Sequence, residues 1–122
     1  MIPTKADENV RQFCLNLPHV EEEIKWDHDL AFMIAGKMFA VVALHPEAPQ
    51  RVSLKCTPER FAELIEIDGV VPAPYLARYH WVALSHWNAL PRNELEGLLE
   101  QSYQLVRAKL PARVRKELEV LG

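Results

Sequence analysis

Cysteine is nearly absent from this chain. Cys14 and Cys56 are the two among 122 residues, and their spacing fits neither a disulfide framework nor a zinc site, so reduced thiols in a cytosol are expected. Long apolar runs are missing too: no window approaches the roughly 20 apolar residues that cross a bilayer. Met1-Ile2-Pro3 passes straight into Lys5, Asp7 and Glu8. Neither a membrane span nor secretory export is expected, and the protein reads as cytoplasmic. No G-x-S-x-G, H-E-x-x-H or P-loop pattern occurs, and neither cysteine has the basic neighbourhood of an activated thiolate. Enzymatic activity is therefore not expected, and no cofactor is called for. Repeats, low-complexity stretches and an interdomain linker are absent as well, which leaves one domain over residues 1–122. Nor does one sign of charge dominate: 14 basic and 17 acidic residues give a net charge of −3, which excludes global steering onto a polyanion.

What the chain does have is material for a core and a clear order of elements. It is 49% hydrophobic and 25% charged, and a domain of this length folds without metal or disulfide staples. Thr4 reads as an N-cap before a stripe of Val10, Phe13, Cys14 and Leu17, a helix that Pro18 ends. Glu21-Glu22-Glu23 reads as a solvated turn. From Ile24 the helical period gives way to strand-like runs over Ile24 to Asp27, Leu30 to Ile34 and Met38 to Leu44, with Ala35-Gly36-Lys37 as the turn of a β-hairpin. His45 to Gln50 is a loop. Arg51 to Cys56 then alternates, with Val52, Leu54 and Cys56 on one face and Arg51, Ser53 and Lys55 on the other. Thr57-Pro58 opens a second helix, Val70 to Pro74 is an extended connection, and Trp81 to Leu84 is a further strand. Leu95, Leu98, Leu99, Ser102, Leu105 and Val106 mark the longest helix, and Val114, Leu118 and Leu121 a short terminal one. The expected fold is α+β, a two-layer domain in the order α-β-β-β-β-α-β-α-α, with a mostly antiparallel sheet and helices packed on one side.

The titratable clusters point away from metal chemistry. Adjacent strand residues face opposite ways, so Asp27, His28 and Asp29 cannot all reach one ion, and a turn is expected there. His80 and His86 bracket a strand and stand about 20 Å apart, too far to share a metal. Trp26 and Tyr103 read as core aromatics. The stretch Tyr75-Leu76-Ala77-Arg78-Tyr79-His80-Trp81 is different, because it sets a cation, a histidine and three aromatics in a loop entering a strand. Such a loop can stack on bases or grip phosphates, and it can equally lock itself to the sheet. The tail, with Arg107, Lys109, Arg113, Arg115 and Lys116, carries +3 from residue 107 onward. It reads either as charge complementing helix ends or as a basic patch.

Several separated motifs, in order, carry a resemblance. Cys14 to Val20, the hairpin Phe32 to Ala40, Val52-Ser53-Leu54-Lys55-Cys56, His80-Trp81 and Ser102 to Pro111 together resemble the MmcQ/YjbR family over Val10 to Leu118. The resemblance implies a compact domain with a double-wing arrangement, classed as a predicted DNA-binding protein of bacteria. The family's leucine-lysine-cysteine element falls on Leu54, Lys55 and Cys56, its histidine-tryptophan element on His80 and Trp81, and Arg78 supplies the cation shortly before that histidine. Many members carry a lysine within the first hairpin strand where this chain has Met33. On this reading Lys37, Arg51, Lys55, Arg78 and His80 contact DNA phosphates, weakly and without sequence preference, while Tyr75, Tyr79 and Trp81 stack or anchor the loop. A protein or small-ligand partner in a groove lined by residues 75–81 is the alternative, and it suits the acidic balance better.

Overall fold

The computed structural model of the protein describes residues 5–121. Thr4, expected as a helix cap, lies outside them. Helix α1 (Lys5–Leu15) turns Val10 and Cys14 inward. Strands β1 (Val20–Lys25), β2 (Asp29–Ile34), β3 (Lys37–Ala43) and β4 (Val52–Lys55) follow, then α2 (Pro58–Leu64), β5 (Val70–Pro72), β6 (Trp81–Leu84), α3 (Arg92–Ala108) and α4 (Ala112–Leu121). The order is the expected one, with a short strand, β5, within the segment read as an extended connection. The strands form one antiparallel six-stranded sheet in the order β1-β2-β3-β4-β6-β5. β5 lies at an edge, where Pro72 can sit without leaving a ladder bond unmade.

The β2–β3 hairpin closes over Ala35 and Gly36, both at positive φ (50° and 78°), the two-residue turn whose twist matches the strands. Phe32 pairs with Ala40 but Met33 with Met38, so Phe39 is the extra residue of a β-bulge. Its carbonyl accepts a hydrogen bond from the Ser102 hydroxyl of α3 at 2.6 Å, and the Ser102 hydroxyl oxygen in turn accepts one from the Lys55 backbone N–H at 2.9 Å. A fully buried helix hydroxyl thus bridges β3 and β4 beside the bulge.

One face of the sheet carries the main core. Phe32, Ile34, Phe39, Val42, Val52, Leu54, Val82 and Leu84 pack there against α1, α2 and α3, with Val114 and Leu118 of α4 at the margin. The buried positions of α3 (Leu95, Leu98, Leu99, Ser102 and Tyr103) recur at helical spacing, as its sequence requires. Tyr103 is fully buried, as expected; it meets Phe39 edge to face at 5.4 Å and donates to the Pro18 carbonyl at 2.6 Å. The opposite face carries a small cluster of Ala73, Trp81 and Ala83 with Met38, Val41 and Leu76, and no helix contributes to it.

Three expectations are corrected. Trp26 is not core: it follows β1 in a turn at positive φ and is 63% exposed. Glu21-Glu22-Glu23 is not a turn but the middle of β1, an edge strand. Glu22 faces the helices and pairs with Arg11 of α1 at 2.8 Å, which is what lets a carboxylate occupy that position. The strand starts at Val20 and ends at Lys25, earlier than the alternation at Ile24 to Asp27 suggested.

Candidate nucleic-acid interface

Strand register decides which of the nominated cations meet. β3 pairs with β4 from Ala40↔Leu54 to Val42↔Val52, so Lys37, at the start of β3, stands at the same end of the sheet as Lys55. β6 runs antiparallel to β4 with Lys55↔Trp81, which brings His80 and Arg78 to that end too. The local bonds agree. Lys55 Nζ donates to the Tyr79 carbonyl at 3.0 Å, and Cys56 N donates to the His80 carbonyl at 2.9 Å. A single turn of 3₁₀ helix, Ala77–Tyr79, ends at His80 in the left-handed region (φ 65°), and this turn swings Arg78 outward.

Arg51 does not join them. Its backbone N–H donates to the Leu84 carbonyl at the other end of the strand, about 13 Å away in an extended chain. Its guanidinium donates to the carbonyls of His45 at 2.9 Å and Ala48 at 2.8 Å, holding the loop closed. The imidazole of His80 packs edge-on against Phe61 of α2 at 5.7 Å. Trp81 is buried on the open face and anchors the loop. Tyr79 is half exposed beneath the Arg78 guanidinium, 5.1 Å from its ring centre. Tyr75, 98% exposed, is a wall of a groove on the open face.

Lys109, read earlier as part of the tail, belongs with the cluster. It caps the C-terminal end of α3, seven residues or about two turns beyond Ser102, and Ser102 touches the Lys55 backbone. That spacing was the available signal; the long-range contact that gives it meaning was not. Burial lowers the Lys55 ammonium below the ordinary lysine range, and Lys109 lowers it further by like-charge repulsion. Among the described residues, ion pairs within 4 Å involve Arg11, Lys25, Arg60 and Arg92, and none involves Lys37, Lys55, Arg78 or Lys109. The neighbouring thiol is quiet, since burial pushes Cys56 up to about 11 and its Sγ is 3.2 Å from the His80 carbonyl. No group of three or more His, Cys, Asp or Glu side chains gathers for a metal among the described residues, and no helix there is long and apolar enough to cross a membrane.

The family model YjbR matches residues 15–105. An uncharacterized protein, YjbR of Escherichia coli K12, is 31% identical over 110 residues, covering 88% of this chain and 92% of the relative. A crystal structure of Deinococcus radiodurans protein DR2400, a DUF419 domain, superposes with a TM-score of 0.82 at 32% identity, covering 92% of this chain and 86% of that one. A Pseudomonas syringae protein of 20% identity shares the fold, with a TM-score of 0.67 over 80% of this chain and 96% of its own.

Proposed function

Because the chain belongs to the YjbR family, we propose that it is a non-catalytic, cytoplasmic module that binds the phosphate backbone of DNA, weakly and without sequence preference. Lys37 at the tip of one wing, Lys55, Arg78 and Lys109 make the contacts. The supporting observation is that register and local hydrogen bonds bring Lys37, Lys55 and Arg78 to one end of the sheet, where Lys109 lies near enough to Lys55 to repel it and where, among the described residues, none of the four is in an ion pair; a bound phosphate would relieve that repulsion. The net charge of −3 does not forbid this. Asp29 lies at the opposite end of β2, about 17 Å from the hairpin tip, and Glu21 and Glu23 lie on β1, three strands or about 14 Å from β4 and two strands or about 10 Å from the β3 strand that carries Lys37. At physiological salt, charges beyond about 8 Å are largely screened. His80, packed on Phe61, positions the loop, and Arg51 holds another loop; neither is assigned a phosphate.

Fluorescence anisotropy of a labelled duplex at low and physiological salt tests this. Binding is expected at low salt and should weaken steeply as salt rises. Lys55→Ala with Lys109→Ala should shrink the salt slope by about one per lost contact, while Arg51→Ala should leave it alone. Absence of binding at low salt, or indifference to the double substitution, would overturn the reading in favour of a protein or small-ligand partner.

A further inference from the structure

The open face of the sheet holds a groove of about 670 Å³, within the size range of small-molecule sites. Its floor is apolar, with Met38, Val41 and Ala73. Trp26 and Tyr75 also line it, and their side chains are 63% and 98% exposed, so two large aromatic faces stand beside an apolar floor with little packed against them. Both sit on backbones at positive φ, 52° and 65°, which bulky residues adopt only at a cost.

The groove's formal charge is a single carboxylate. Among the described residues its lining contains no Lys or Arg, and Asp29 is its one acidic residue. Asp29 is half-buried, and burial raises its pKa, an effect that His28 beside it partly offsets. Lys25 lies directly across from Asp29 in the sheet, yet its ammonium turns to Glu23 at 3.2 Å. Asp29 forms no side-chain hydrogen bond or ion pair among the described residues. A partly desolvated carboxylate with no partner among the described residues favours an incoming positive charge. Aromatic faces attract the same charge, and an apolar floor favours a hydrocarbon body on it. An anion would meet Asp29 with no compensating cation in the lining.

We propose that this groove binds a small organic ammonium ion with an aromatic body, the ammonium at the Asp29 carboxylate and the body between Trp26 and Tyr75 over Met38 and Val41. Its Asp29 end is at the opposite end of β2 from the hairpin that carries Lys37, while Met38 and Leu76 bring its other end beside the basic cluster; the proposal stands whether or not DNA binds there.

Three probes of one shape and different charge test it: 2-phenylethylamine, 2-phenylethanol and phenylacetate. Each is titrated into the full chain and followed by amide NMR shifts and by tryptophan fluorescence. The amine should bind at least about fivefold more tightly than the alcohol, and the acetate most weakly, with shifts centred on residues 26–31, 38–41 and 73–76. Asp29→Asn should bring the amine down to the level of the alcohol. Tyr75→Ala, at a position that supports no core, should weaken amine and alcohol together. Equal affinity for all three probes, preference for the acetate, shifts centred elsewhere, no saturable change at millimolar amine, or an amine indifferent to Asp29→Asn would each overturn the proposal.

Discussion

At the scale of single residues, the side chains that carry the family resemblance are builders of the scaffold more than contacts for a ligand. Ser102 joins Phe39 and Lys55, residues 63 and 47 positions away in sequence. Tyr103 reaches Pro18 across 85 positions. The Cys56 backbone and thiol both meet the His80 carbonyl. None of these partnerships has a local signature, which is why the motif residues could be read as distinctive while their work could not. Ser102→Ala strands a buried carbonyl and a part-buried N–H, so a loss of about 2–4 kcal/mol is expected, read as a lower urea midpoint with an unchanged slope. Asp29 works in the other direction. Burial raises its folded pKa above the unfolded value, so its ionised form lowers stability at neutral pH and the deficit vanishes once pH falls below the unfolded carboxylate range. Asp29→Asn is therefore expected to raise Tm at pH 7 and to leave it nearly unchanged near pH 3. A fall in Tm at pH 7 would mean that the carboxylate has a stabilising partner.

At the scale of elements, what sequence made legible was whatever repeats with a period. The alternation of Val52, Leu54 and Cys56, the stripe along α3 and the Ala35-Gly36 turn all appear where the residues put them. β1 was expected but placed too late, from Ile24 rather than Val20, because three consecutive glutamates conceal its alternation. Glu22 occupies an inward position only by virtue of Arg11, on another element. Trp26 escaped for a related reason: a positive φ at a tryptophan leaves no mark in the sequence, as a glycine would. Gly69 does leave one. It has φ +90°, and an added Cβ would fall 2.7 Å from His86 Nε2 and 2.9 Å from the Ala89 Cβ. Gly69→Ala is thus expected to cost about 1–3 kcal/mol and, because β5 begins at the next residue, to speed amide exchange at Val70 and Val71 before the central strands are affected.

At the scale of the whole molecule, a modest net charge conceals an uneven surface. Lys37, Lys55, Arg78 and Lys109 gather at one end of the sheet, and the lining of the open-face groove carries one unpaired carboxylate. Composition could count these charges but not separate them, since Lys55 and Lys109 are 54 positions apart in the chain. The nominated set was thus partly legible: three of its cations share an end with His80, Arg51 is spent on a loop, and the tail contributes Lys109 in its place. The most direct measurement is an amide NMR titration of the full chain with a short DNA duplex at low salt. Shifts confined to the surroundings of Lys37, Lys55, Arg78 and Lys109, and reversed by added salt, are expected. Shifts centred on the groove between Trp26 and Tyr75, or none anywhere, would contradict a phosphate-binding end.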